Sequence, residues 1–263
     1  MTRDRTKWRL WAALLPLTWL LGAGVPFAYA GPAAPVIQPQ VLGELRHDPS
    51  AFTQGFEIVD GVLYEGTGLA GASQLRELDP AGGDLRRAVD VPGAYFAEGI
   101  TVVGDRIWQL TYRDGVAVEW DRGGLTPLRE VPIAGEGWGL CFDGTRLVRS
   151  DGSARLRFHD AANFAETGGL DITRDGRPVT GLNELECVDG HVWANVWPTD
   201  TIVRIDVASG TVDLVVDAAG LRERGIPADA QVLNGIAHVE GDEFLLTGKN
   251  WPTTFRVRLG EPS

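Results

Sequence analysis

One unit recurs five times along this chain: a polar residue, a short apolar run, a two-residue turn and a second apolar run. The copies read Gln54-Gly55 followed by FEIVDGVLYEGTG, Glu98-Gly99 by ITVVGDRIWQLTY, and Trp138-Gly139 by LCFDGTRLVRSDG. The last two are Asn183-Glu184 followed by LECVDGHVWANVW and Asn234-Gly235 by IAHVEGDEFLLTG. Their starts at 54, 98, 138, 183 and 234 are spaced by 44, 40, 45 and 51 residues. Each turn carries Asp-Gly or Gly-Asp (Asp60-Gly61, Gly104-Asp105, Asp143-Gly144, Asp189-Gly190, Gly241-Asp242), the residues that tolerate the backbone of a tight hairpin. A third β-rich run follows each hairpin, ending at Asp79, Asp121, Asp160 and Asp206 and, in the last copy, in TFRVRL. A fourth run comes next, as at 85–91 and 211–216. Four strands per repeat at this period predict an all-β fold, a five-bladed β-propeller. Helical patterning is confined to 217–224.

The fifth repeat runs out of chain after its third strand, while Gln40–Arg46 (QVLGELR) is left over ahead of the first. Placing that segment as the outer strand of the last blade closes the ring and removes an open sheet edge. The expectation is one catalytic domain at 31–263, with the blades over 36–260 and no linker.

The first thirty residues read differently. Arg3, Arg5, Lys7 and Arg9 precede an apolar run at 10–23, and Ala28-Tyr29-Ala30 supplies the small-x-small pattern of a cleavage site. Residues 1–30 are therefore expected to be a signal peptide, with Gly31 the mature start and an exported, periplasmic or secreted, product. The whole chain has a formal charge of −12; removing four basic residues and Asp4 leaves −12 − 3 = −15. So acidic a body repels phosphate backbones, which excludes a nucleic-acid partner. No membrane association is expected after cleavage, and the protein is expected to act as a monomer. Cys141 and Cys187, the two cysteines, sit in apolar runs and read equally as a disulfide or as buried thiols.

In a propeller the innermost strand of each blade lines the axis. Gln54, Glu98, Trp138, Asn183 and Asn234 should therefore ring one mouth, joined by residues near Gly66, Tyr112, Asp151, Trp197 and Lys249 at the ends of the second strands. The ring is rich in aromatics (Phe52, Phe96, Tyr112, Trp138, Trp197, with Trp251 nearby), which also serve blade-to-blade packing. Glu98, between Phe96 and Gly99, is placed among apolar neighbours that would raise its pKa toward the range of proton transfer. A surface carboxylate or backbone anchor is the competing reading. Lys249 lies at a strand end, and Asn183-Glu184-Leu185-Glu186 alternates amide and carboxylates that could reach a cation. His47, His159, His191 and His238 are scattered and read as structural. No nucleophile elbow or nucleotide motif is present.

These segments resemble the plant-type (type I) glutaminyl-peptide cyclotransferases. The resemblance rests on Phe52-Thr53-Gln54-Gly55, Phe96-Ala97-Glu98-Gly99-Ile100-Thr101, Gln109-Leu110-Thr111-Tyr112, Glu136-Gly137-Trp138-Gly139-Leu140 and Ser150-Asp151-Gly152-Ser153. It extends through Leu182-Asn183-Glu184-Leu185-Glu186, Trp193-Ala194-Asn195-Val196-Trp197, Leu233-Asn234-Gly235-Ile236-Ala237 and Gly248-Lys249-Asn250-Trp251-Pro252. It implies conversion of an N-terminal glutamine of a peptide or protein to pyroglutamate with release of ammonia. Glu98 matches the family's general acid/base, and Lys249 and Asn183 match polar residues that hold the substrate amide. Gln54 matches a pocket polar residue; Phe52, Phe96, Trp138 and Trp197 match the apolar cage. Tyr112 stands where many relatives carry tryptophan. The resemblance implies no catalytic metal or cofactor, and a structural calcium ion on the axis. A calcium-dependent propeller hydrolase or lactonase, or a ligand-binding propeller without activity, are the alternatives the residues alone leave open.

Overall fold

The computed structural model describes residues 33–93 and 95–260; the expected signal peptide lies outside them. Among these residues the fold is all-β apart from one 3-10 turn, Ala219–Arg224, and its arrangement is propeller-like. No helix among the described residues is long and apolar enough to cross a membrane.

The hairpin repeat becomes five sheets. The first three are antiparallel and sequential: from Thr53–Val59 out to Leu85–Asp90, from Ala97–Val103 out to Thr126–Pro132, and from Leu140–Phe142 out to Glu166–Asp171. The fourth runs from Leu182–Val188 to Thr211–Asp217, where Val36–Ile37 and the small hairpin Thr173–Arg174/Arg177–Pro178 add to its edge. The fifth contains Leu233–Glu240, Glu243–Gly248 and Thr253–Arg258, and its outer strand is Gln40–Arg46, antiparallel to Thr253–Arg258 with Val41 opposite Val257.

Burial falls from the first strand of each sheet to the last: Ala97–Val103 is buried over six of its seven residues, whereas Thr126–Pro132 is exposed over six. The first strands touch one another in cyclic order, each against the next and Leu233–Glu240 against Thr53–Val59. Two features bring them so close. Gly99 and Gly139 leave no room for a side chain: a Cβ at Gly99 would lie 2.7 Å from the Leu140 nitrogen, and one at Gly139 would lie 1.9 Å from the Asn183 carbonyl oxygen. Buried carboxylates then stitch these strands together. Glu57 accepts from the Val102 N–H, Glu184 from Phe56 and Ile236, and Glu186 from His238. Burial pushes all three carboxyls upward, Glu57 to about 7.

His47, just past Gln40–Arg46, ties the two ends of the chain's fold together. Its backbone N–H bonds the Pro252 carbonyl, and its Nδ1 lies 2.7 Å from the Trp251 carbonyl, which can only accept. The remaining ring nitrogen faces Glu65 Oε1 at 2.9 Å in a buried pair. Burial alone would lower the His47 pKa, but the Glu65 carboxylate overcomes it and raises it. The pair therefore favours the imidazolium.

Cys141 and Cys187 form a disulfide joining Leu140–Phe142 to Leu182–Val188, across 46 residues of sequence. A cross-link closing a loop of that length restricts the unfolded chain by about 4 kcal/mol in the chain-entropy model. Replacing both cysteines by alanine is expected to lower the calorimetric midpoint by roughly 10 °C. An unchanged midpoint would show that the packed strands alone hold these two sheets together.

Candidate active site

Four of the five hairpins have a register shift at their first strand's opening: between Thr53 and Gly55, Ala97 and Ile100, Leu182 and Leu185, and Leu233 and Ile236. Such bulges re-aim a side chain at the rim of a sheet, and the skipped residues include Gln54, Glu98, Asn183 and Asn234. The nine residues that the family resemblance assigns to the site, Phe52, Gln54, Phe96, Glu98, Tyr112, Trp138, Asn183, Trp197 and Lys249, line one cavity of about 390 Å³.

Five aromatic rings form a continuous arc around it. Phe52 meets Phe96 edge-on at 6.0 Å, Phe96 meets Tyr112 at 5.7 Å, Tyr112 meets Trp138 at 6.4 Å, and Trp138 meets Trp197 edge-on at 5.8 Å. Trp197 is 48% exposed and marks the outer rim. Lys249 sits over the other end, with Nζ 4.9 Å from the Phe52 ring centre. The arc is an apolar wall with a cation at one end and an open rim at the other.

The polar floor is buried. Glu98 accepts a hydrogen bond from Gln54 Nε2 at 3.0 Å, and Gln54 Oε1 accepts in turn from Asn234 Nδ2 at 3.1 Å. Burial raises the Glu98 carboxyl well above its ordinary value; Lys249 opposes that rise and Glu136 adds to it. Burial likewise lowers the Lys249 pKa, which the nearby Glu98 partly restores. Among the described residues Lys249 Nζ makes no hydrogen bond, so its donors are open to a ligand. The Asn183 side chain is also unpaired, its Oδ1 buried without a partner.

Two lining residues were not among the sequence candidates. Glu136 accepts from the Trp138 indole at 2.9 Å and from Arg113 Nε at 2.7 Å, and Arg113 stacks over Tyr112 at 4.5 Å. Burial would raise the Glu136 carboxyl, but these two donors hold it below its ordinary value. It is thus a fixed negative charge beside Glu98. Its position two residues before Trp138 in a repeat opening was the available signal. Trp251, by contrast, does not reach the cavity. It is fully buried against Phe255, and its indole donates to the Gln231 carbonyl.

A larger groove of about 650 Å³ lies beside Arg174, Asp175 and Arg177, but no buried acid–base pair lines it. Among the described residues no three His, Cys, Asp or Glu side chains are grouped to hold a metal. Glu184 accepts backbone N–H donors at both carboxylate oxygens, and Glu57 and Glu186 at one oxygen each.

A buried carboxyl of raised pKa, a desolvated ammonium and an unpaired amide on one apolar wall suit proton transfer at a small polar group held among aromatics. The glutamine cyclotransferase family model matches residues 16–259. A glutaminyl-peptide cyclotransferase of Arabidopsis thaliana is 34% identical over 231 residues, covering 85% of this chain and 72% of that protein. The crystal structure of Myxococcus xanthus glutaminyl cyclase superposes with a TM-score of 0.79 at 36% identity, covering 87% of this chain and 98% of that one. The chain belongs to the glutamine cyclotransferase family.

Proposed function

We propose that this protein is a glutaminyl-peptide cyclotransferase, acting on peptides and proteins with N-terminal glutamine, with Glu98 as its general acid/base. The observation that carries the reading is the meeting of Glu98, Lys249 and Asn183 with five aromatic rings in one cavity of a chain of this family.

The reaction is intramolecular, so the enzyme's task is to fold a flexible side chain and move one proton. The aromatic arc packs the aliphatic part of the glutamine and brings its carboxamide carbon to the α-amine. The neutral amine attacks that carbon, forming the ring C–N bond, while the Glu98 carboxylate takes an amine proton. Negative charge collects on the carboxamide oxygen, where Lys249 and the Asn183 amide donate to it. Glu98 then returns the proton to the leaving nitrogen, the C–N bond to it breaks, and ammonia departs. No step is assigned to an ion on the axis.

The five sheets are read as five blades, and Gln40–Arg46 as the strand that closes the ring. Cyclic contact of the first strands and the buried His47–Glu65 pair support this. Residues 1–30 are read as an export signal, giving a monomer that works outside the cytoplasm.

The protein incubated with a Gln-initiated peptide is expected to release ammonia as the peptide loses about 17 mass units, one NH₃. The N-acetylated peptide, which lacks the attacking amine, is expected to stay intact. Failure to convert any Gln-initiated peptide would refute the function, and loss of the activity on adding a chelator would refute the metal-free mechanism.

A further inference from the structure

We infer that Asn234 is a positioning residue for the reaction: it fixes the direction of the Gln54 amide, so that Gln54 offers Glu98 an N–H and not an oxygen. The inference rests on the reading of Glu98 given above.

Asn234 cannot be turned round. Asn234 donates through Nδ2 to the Thr53 backbone carbonyl at 2.9 Å, and a carbonyl only accepts. The same nitrogen donates to Gln54 at 3.1 Å, so the atom of Gln54 facing it must be the oxygen. Gln54 Nε2 therefore points the other way, to Glu98 Oε1 at 3.0 Å. Asn234 is fully buried and leaves its own Oδ1 without a partner. An unmet buried acceptor costs about 1–3 kcal/mol, and the two donor bonds offset that cost.

The direction matters for chemistry. An N–H donated to Glu98 stabilises the carboxylate, the form that accepts the amine proton. An inverted Gln54 would present its oxygen, which bonds only the protonated acid. Burial already drives Glu98 toward the acid form, as does the Glu136 charge; Lys249 opposes them. Gln54 adds to the Lys249 side only while Asn234 holds it. Among the described residues Lys249 and Glu136 are the charged groups acting on Glu98, and changing Asn234 leaves both in place.

The test is the pH profile of kcat/KM on one neutral Gln-initiated peptide. Asn234→Ala is expected to move the acid limb upward by about one unit, a roughly tenfold loss on the acid side that narrows to less than about threefold at alkaline pH. Gln54→Leu is expected to produce the same shift, and the double variant no more than either alone. If Asn234→Ala fails to fold, Asn234→Ser, which can serve only one of the two acceptors, should shift the limb in the same direction by less. A uniform loss at every pH, or additive shifts in the double variant, would overturn the inference. The underlying reading fails separately: a Glu98→Gln enzyme that keeps a rising limb besides that of the substrate's own α-amine removes Glu98 itself from the titration. A limb lost in Glu98→Gln but unmoved in Asn234→Ala removes only the role of Asn234.

Discussion

Replacing Glu98 by glutamine is expected to lower kcat on a Gln-initiated peptide by about a hundredfold or more, within the range that general acid–base catalysis contributes. The fold should survive, because the amide keeps the shape of the carboxyl and retains an oxygen for Gln54 Nε2. What it loses is the ability to take a proton from one nitrogen and give it to another. The pH dependence makes the test sharper. Burial lifts the Glu98 pKa well above the ordinary carboxylate value, against the pull of Lys249. Below that raised pKa the acid form dominates and cannot act as base, so kcat/KM of the wild type should climb as pH rises through it. The α-amine, which must also be neutral, adds a limb near pH 8. Glu98→Gln should abolish the first limb and keep the second. A variant with more than about a tenth of wild-type turnover and both limbs intact would take Glu98 out of the mechanism.

The strands were legible because each hairpin is specified locally. Asp60-Gly61 and Asp189-Gly190 have positive φ at both residues (51° and 72°, 48° and 78°), the backbone those pairs predict. The two-residue strands Val36–Ile37, Thr173–Arg174 and Arg177–Pro178 were not, since two residues cannot show a period. The cysteine pairing was also hidden: it depends on which faces of the third and fourth sheets meet, and that is a long-range property.

At the site, position within the repeat carried most of the information. A polar residue opening an innermost strand has few places to go except the mouth, and Gln54, Glu98 and Asn183 are all there. Trp251 shows how local backbone defeats such reasoning. Asn250 takes a left-handed φ of 62°, the turn reverses so that the Trp251 N–H bonds the Gly248 carbonyl, and the indole enters the core while Lys249 stays at the mouth. Arg113 and Glu136 were missed for a different reason. Charged residues near turns are common, and only the hydrogen bond between them, spanning 23 residues, makes them part of the wall.

The second large effect is expected at Lys249. Lys249→Met keeps most of the apolar stem against Phe52 and removes the ammonium. The loss should fall on kcat, by about 10²–10³-fold, because the charge it answers is strongest on the carboxamide oxygen in the transition state. KM should change little, since the glutamine side chain is neutral when it binds and the aromatic arc does most of the holding. A second readout follows from the same pair of groups. Lys249 is what opposes the rise of the Glu98 pKa, so its removal should push the acid limb of kcat/KM further toward alkaline pH. Lys249→Arg restores a charge but not a compact one: the planar guanidinium is larger than the ammonium and its donors lie in a fixed fork. It is expected to return the limb toward its wild-type position while recovering only part of kcat. A Lys249→Met enzyme whose kcat falls less than about threefold would mean that the oxyanion is held by Asn183 alone. A large fall in kcat with an unmoved limb would mean that Lys249 and Glu98 act without feeling each other's charge, contrary to their burial in one cavity.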